Sequence, residues 1–318
     1  MEEWKKYSRR DFIKTTAQAA AAISLLPSFK WYDERKEGLI KVTVLHTNDM
    51  HSHIDPFPAD DPKYPGKGGM SRRAALIEEI RKKNEHVVLL DAGDVFQGTP
   101  YFNFYGGEPE FRLMTMMKYD ACTMGNHDFD NGMEGFLKML PHAGFPFLCS
   151  NYDFGDTPLH NKTFGYSVIK KGPVSIGIFG IGIELEGLVD QKNYGNTRYT
   201  DPVRISNEKA LFLREEMQCD LVICLSHLGY DYKENKISDL KLAGLTENID
   251  LIIGGHTHTF LENVTETKNK TGKKVLVTQA GWGGILLGKI DFYLEKSNKK
   301  RDKTKDITYI ANGMIQVC

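Results

Sequence analysis

The residues of this chain that could do chemistry lie in five short runs, and the densest is Gly125-Asn126-His127-Asp128-Phe129-Asp130. An amide, an imidazole and two carboxylates at the end of the apolar run Ala121-Cys122-Thr123-Met124 are hard to explain by packing, because polar groups are costly to bury without partners. The other four runs are Asp49-Met50-His51, Asp91-Ala92-Gly93-Asp94, Ser226-His227 and Gly255-His256-Thr257-His258. Each follows a strand-like apolar segment. Together they read as one metal site assembled from distant parts of the chain. No cysteine pair has C-x-x-C spacing, so the donors are nitrogen and oxygen, which suits Zn, Mn or Fe.

Within each run some residues are better placed than others. In an extended chain residues two apart point the same way, so Asp49 and His51 are expected to converge on one ion. His53 has the same parity but lies further out on a segment turned by Pro56, and reads as a loop or supporting residue. Asp94 is preferred over Asp91 as a donor, because Gly93 lets the backbone approach closely while Asp91 anchors the turn.

The elements that must hold these residues alternate between strand and helix. Residues 39–46 are β-branched and read as a strand. A Gly- and Pro-rich loop over 58–69 follows. Ser71 is then expected as the N-cap of a helix with Ala74, Ile77 and Ile80 on its apolar face. Residues 86–91 read as a buried strand, 108–118 as a helix, 121–124 as a strand, 132–140 as a helix and 145–150 as a strand. Residues 163–183 read as an antiparallel pair turned at Lys171-Gly172-Pro173. Asp201-Pro202 opens a helix to Gln218, and the strands 221–225 and 249–253 then deliver the last two polar runs. Beyond His258 the pattern is β-rich and glycine-punctuated, with a lysine-rich turn at 296–305 before a final strand near Ile307. Polar residues at the carboxyl ends of successive strands fall on one rim of the sheets, where ligands of α/β proteins bind.

Composition narrows the class. The chain has 318 residues, 41% hydrophobic and 26% charged, enough to bury a large core. A formal net charge of −1 provides no long-range field, so nucleic acid is not an expected partner. The five cysteines are odd in number, and four lie in or beside apolar segments where a thiol behaves as a small hydrophobe. Residues 1–30 resemble a twin-arginine export signal, with Ser8-Arg9-Arg10-Asp11-Phe12-Ile13-Lys14 before an Ala-rich apolar run. The resemblance implies engagement of the twin-arginine translocation machinery and a periplasmic or membrane-anchored location. Residues 31–38 are then a linker, and 39–318 form the catalytic domain.

The five runs, in this order and spacing, resemble the blocks of the calcineurin-like metallophosphoesterases over about residues 39–295. Leu45-His46-Thr47-Asn48-Asp49, Asn126-His127-Asp128-Phe129-Asp130 and Gln279-Ala280-Gly281 are similar to the 5′-nucleotidase branch. The resemblance implies a four-layer α-β-β-α sandwich of two mixed β-sheets, with a dinuclear metal site at the strand carboxyl ends. It implies that Asp49, His51, Asp94 and His258 hold one divalent ion, and Asp94, Asn126, His227 and His256 the other. A hydroxide shared by the ions would attack phosphorus in line. His127 would protonate the leaving oxygen, while Asp130 holds its tautomer or caps the following helix.

The implied function is 5′-nucleotidase-like hydrolysis of phosphomonoesters. The alternatives are a sulfur-oxidation-type dimanganese hydrolase on the same scaffold and a non-catalytic metal-binding subunit of a split nucleotidase. Branch members carry a second, C-terminal nucleotide-binding domain, which this chain is expected to lack. A separately encoded domain is the implied partner, meeting the loops 58–69, 96–107 and 281–284. The chain alone is then expected to act on aryl phosphate and to treat nucleotides without regard to the base.

Overall fold

The computed structural model describes residues 39–295 and 308–318. The arginine pair and Ala-rich run in 1–30, the linker 31–38, the lysine-rich turn 296–305 and Ile307 lie outside the described residues. No helix among the described residues is long and apolar enough to cross a membrane.

The first half of the chain builds β1 (Leu39–Thr47), α1 (Met70–Lys83), β2 (Val87–Asp91), α2 (Pro100–Tyr105), α3 (Glu108–Met116), β3 (Ala121–Cys122), α4 (Gly132–Met139) and β4 (Tyr152–Asp153). The second half begins with β5 (Ser167–Lys171), β6 (Val174–Ile181), α5 (Gln191–Tyr194), β7 (Arg198–Tyr199), α6 (Pro202–Leu211) and β8 (Leu221–Ser226). It continues with α7 (Asp239–Leu245), β9 (Leu251–Ile253), β10 (Thr265–Lys268), β11 (Lys274–Thr278), β12 (Leu286–Glu295) and β13 (Thr308–Gln316). One mixed sheet runs β13-β12-β1-β2-β3 and the other β10-β11-β9-β8-β6-β5, with β4 and β7 forming a small separate pair. In the first sheet β1, β2 and β3 are parallel, and in the second β6, β8, β9 and β11 are parallel. Their site-bearing ends therefore point the same way within each sheet.

Strand alternation sorts the side chains into three cores. Val42, Val44, Val88 and Leu90 of the first sheet pack against Ile176, Ile178, Ile223, Leu225 and Ile253 of the second. On the outer face of the first sheet, Leu45 and Leu89 meet Ile77, Phe111 and Phe136 from α1, α3 and α4. On the outer face of the second, Val222, Cys224 and Val277 meet Ile205, Ala210 and Leu242 from α6 and α7. Three apolar seams separating four layers make the α-β-β-α sandwich that the motifs imply. Cys122, Cys149, Cys219 and Cys224 are buried free thiols within these cores.

Three local expectations change. The helix expected from Ser71 starts at Met70, capped by Gly69 at φ 96° rather than by a hydroxyl. The backbone there must reverse sharply out of the loop, which only glycine does without strain. Residues 145–150 form no regular strand; Phe147 and Leu148 make isolated bridges to Cys122 and Phe164. Helix α2 appears where no helix was expected, because six residues are too few to display a period.

Candidate metal and active site

Seven polar side chains named above meet at the rim where the two sheets abut. Asp49, Asp94 and Asn126 follow β1, β2 and β3, whereas His227, His256 and His258 follow β8 and β9. The donor atoms of Asp49, His51 and His258 lie within 4.8 Å of one another, as do those of Asp94, His227 and His256. Asp94 sits between the groups, its Oδ2 lying 3.1 Å from His227 Nε2 and 3.9 Å from His51 Nε2. Asn126 joins the second group, with Oδ1 2.8 Å from His256 Nδ1.

Asp49 and His51 do not converge by strand alternation. β1 ends at Thr47, and Asp49 (φ 48°) and His51 (φ 45°) are both left-handed. Asp94, His256 and His258 share that conformation, at φ 55°, 72° and 52°. Non-glycine residues held there cost about 1–3 kcal/mol each and persist only where the surroundings enforce them. Here main-chain bonds do so: Asp49 N–H donates to Gly93 O, His51 N–H to Asp94 O, and His256 N–H to the Asp49 carboxylate. Gly125 passes so close to the site that a Cβ there would collide with Asp94 Oδ1.

Several observations fit these residues to cations. The Nε2 of His227 is fully buried, and although Asp94 Oδ2 lies 3.1 Å away it makes no well-directed hydrogen bond. His51 and His258 turn Nε2 toward Nε2 at 2.9 Å, an arrangement that a shared cation or proton relieves. Among the described residues only histidines form ion pairs with the buried Asp49 and Asp94. Burial opposes a charge on His227, yet the Asp94 carboxylate beside it pushes its pKa up to about 10. Burial likewise opposes ionisation of Asp94, but His227, His51 and His127 outweigh it and hold its carboxyl below the usual range. The pocket thus demands positive charge, which divalent ions supply more fully than one proton. Burial lowers His51 and pushes His256 down to about 4, keeping both neutral as ligands must be.

His127 belongs to neither group. It is half-exposed and its Nδ1 lies 3.0 Å from Asp130 Oδ2, a bond that raises its pKa. Asp130 is also the residue after the short 3₁₀ turn His127–Phe129, and Asn131 occupies the N-cap position of α4 without a side-chain cap bond. His53 turns away from the donors, with its ring stacked on Phe57 at 4.7 Å and its Nδ1 2.9 Å from His51 O. Asp91 anchors its turn, accepting from Gly93 N–H at 2.9 Å and Thr47 Oγ1 at 2.6 Å.

Two residues with work here were given no role by the sequence. Asp128 accepts the backbone N–H groups of Asp94, Val95, Phe96 and Gly125, locking two ligand loops together. Burial and the Asp94 charge push its pKa up to about 7. Trp282 lays its indole over His258, 9° from parallel with centroids 5.7 Å apart. The available signal was an aromatic flanked by Gly281 and Gly283, which hold φ 69° and 61° and so let the loop pass close to the rim.

Two sheets packed face to face, with nitrogen and oxygen donors converging at their shared rim, define the metallophosphoesterase class of domain. Residues 42–260 match the calcineurin-like phosphoesterase family, and the chain belongs to it. It is 35% identical over 241 residues to a snake venom 5′-nucleotidase of Crotalus adamanteus, covering 70% of this chain and 38% of that protein. It is 30% identical over 305 residues to the trifunctional nucleotide phosphoesterase YfkN of Bacillus subtilis, covering 86% and 19%. The crystal structure of a 5′-nucleotidase precursor from Thermus thermophilus superposes with a TM-score of 0.77 at 30% identity, over 87% of this chain and 55% of that one. The chain spans about half or less of the length of the curated relatives it matches.

Proposed function

We propose that this chain is an exported dinuclear metal-dependent phosphomonoesterase whose leading substrates are nucleotides. The observation that carries the reading is the pairing of two donor groups about Asp94 with an imidazole, His127, that neither group uses. In this reading Asp49, His51, Asp94 and His258 hold one ion, and Asp94, Asn126, His227 and His256 the other, with Asp94 shared. When bound, the ions supply Lewis acidity toward the phosphoryl oxygens and lower the pKa of a water. The nitrogen and oxygen donors suit Zn, Mn or Fe.

The chain's own part is positional and protic. Asp130 accepts the Nδ1 proton of His127, which fixes the tautomer and leaves Nε2 to deliver a proton to the departing oxygen. The raised pKa of His127 keeps that proton available near neutrality. The nucleotidase relatives support the substrate class, and the paired arginines in the first 30 residues support export.

The test is His127→Ala in the metal-reconstituted chain. Both ions should remain, and turnover of AMP should fall by about 10²–10⁴, with a much smaller loss on an aryl phosphate whose leaving oxide needs little protonation. Equal losses on the two substrates would remove His127 from the acid role. No turnover of any phosphomonoester by the unaltered chain would remove the function.

A further inference from the structure

The run Gln279-Ala280-Gly281 supplies none of the seven donors, yet it is bonded to the loops that carry Asp49, His256 and His258. Gln279 directly follows β11 and is fully buried. Its Nε2 donates to Gly255 O at 2.6 Å, just before His256, and its Oε1 accepts from Thr259 N–H, just after His258. Thr257 Oγ1, between the two imidazoles, donates to the same Oε1 at 3.1 Å. One side-chain amide therefore brackets the whole His256-Thr257-His258 segment. Its orientation is fixed by its partners, because a carbonyl only accepts and a backbone N–H only donates.

The ladder between β9 and β11 ends at the pair Ile253 and Thr278, with Gly254 N–H donating to Thr278 O at 2.7 Å. The two segments meet again at the isolated bridge between Phe260 and Ala280. Gln279 fills the gap. Within it His256 and His258 are left-handed, at φ 72° and 52°, a conformation their own side chains disfavour. From the other side, Asn48 Nδ2 donates to Gly281 O and Ala280 N–H to Asn48 Oδ1, both at 2.7 Å, and Gly283 N–H donates to Asp49 O at 2.8 Å. The 279–283 turn is thus bonded to donor loops of both sheets. A bland account is that Gln279 satisfies buried backbone where a ladder stops. The placement favours more than that: its bonds fall on the residues flanking two donors, one from each ion group.

We infer that Gln279 is a positioning residue that holds His256 and His258 at the spacing the two ion groups need, so that both ions depend on it although it is a ligand of neither. The inference rests on the two-ion reading. Asp94 joins the groups by standing between them; Gln279 joins them through the backbone that carries one imidazole of each.

The experiment titrates Mn²⁺ into the metal-depleted full chain against a chelator and follows the electron paramagnetic resonance of the bound ions. The unaltered chain should bind two ions that are magnetically coupled. Gln279→Met fills similar space without either hydrogen bond. Both ions should weaken in it, by about 10–100-fold, and the coupled signal should give way to that of isolated ions. Thr43→Val removes a buried bond to Asp291 within the first sheet and serves as the control. It should lower the urea midpoint and leave both affinities and the coupled signal unchanged. If Gln279→Met does not fold, Gln279→Asn decides the matter, since its amide stops one methylene short of the loop and both ions should again weaken. Unchanged affinities in the folded variant, weakening of one ion alone, or an equal loss in Thr43→Val would overturn the positioning role. If the unaltered chain binds no Mn²⁺, the two-ion reading fails and the inference with it. Two ions bound equally well with and without Gln279 would leave that reading standing and remove the inference.

Discussion

Two sets of buried polar side chains lie within a few residues of each other along the first strand. Thr43 and Thr47 sit in regular β1 and find protein partners, Asp291 and Asp91, each at 2.6 Å, while His46 reaches Thr278 through Nε2 at 3.2 Å and leaves its buried Nδ1 without one. Asp49 and His51, just past the strand, are as deeply buried but have left-handed backbones, and their ion-pair neighbours among the described residues are other titrating groups of the rim. Burial alone therefore does not mark function in this protein. Polar groups carried by the regular strand tie the sandwich together; those held in left-handed geometry cluster with imidazoles and carboxylates from other loops, as a cation site requires.

The comparison is sharpest for two aspartates three residues apart. Asp94→Ala should remove the donor between both groups, taking bound metal from about two ions per chain toward none and kcat/KM on aryl phosphate down by about 10³-fold or more. The fold should survive, by circular dichroism. Elemental analysis finding two ions in that variant would break the contrast. Asp91→Ala should do the reverse. Thr47 Oγ1 and the Gly93 N–H lose a buried acceptor, costing about 2–4 kcal/mol in urea unfolding, while the ions per folded chain stay the same.

His46 offers a pH test of the residues carried by the regular strand. Burial pushes its pKa down to about 3 from an ordinary 6.5, so the folded chain holds it neutral while the unfolded chain protonates it at mild acidity. The unfolded state then binds the extra proton. Stability from this group is complete above about pH 6.5 and declines as pH falls toward 3, by about 2 kcal/mol at pH 5. His46→Gln should flatten that part of the stability–pH curve. An unchanged slope would show that other groups set it.

Trp282→Ala should have the smallest effect. His258 is partly exposed and leans on the indole, so its removal should weaken the ion held by His51, Asp49 and His258 by a few fold, about 1 kcal/mol, and leave the other ion alone. Trp282→Phe should recover most of the loss. Titration of both ions unchanged in Trp282→Ala would reduce Trp282 to a wall.

Much of the sandwich was legible because its signals are local and periodic. The β-branched and apolar runs that became β1, β2, β8 and β9 need only a face on each side, and their carboxyl ends could be read as one rim before any contact was known. Residues 145–150 carry the same composition without the pairing, so only the tertiary structure could show that they stop at isolated bridges. Helix α2 and the glycine start of α1 were equally out of reach.

At the site, residue type and order were enough to bring forward Asp49, His51, Asp94, Asn126, His127, Asp130, His227, His256 and His258, because nitrogen and oxygen donors gathered at five strand ends suit a cation far better than they suit an apolar core. What the sequence could not decide is how they converge. It suggested strand alternation for Asp49 and His51, whereas the structure uses left-handed turns imposed by main-chain bonds from neighbouring loops. Backbone dihedral angles forced from outside a segment leave no trace in that segment's composition. The same reason hid Asp128 and Trp282, whose roles depend on four N–H groups and one imidazole brought from elsewhere in the chain. The sequence by itself determined which chemistry the rim can do; the packing of one sheet against the other decided where each donor stands and which neighbour holds it there.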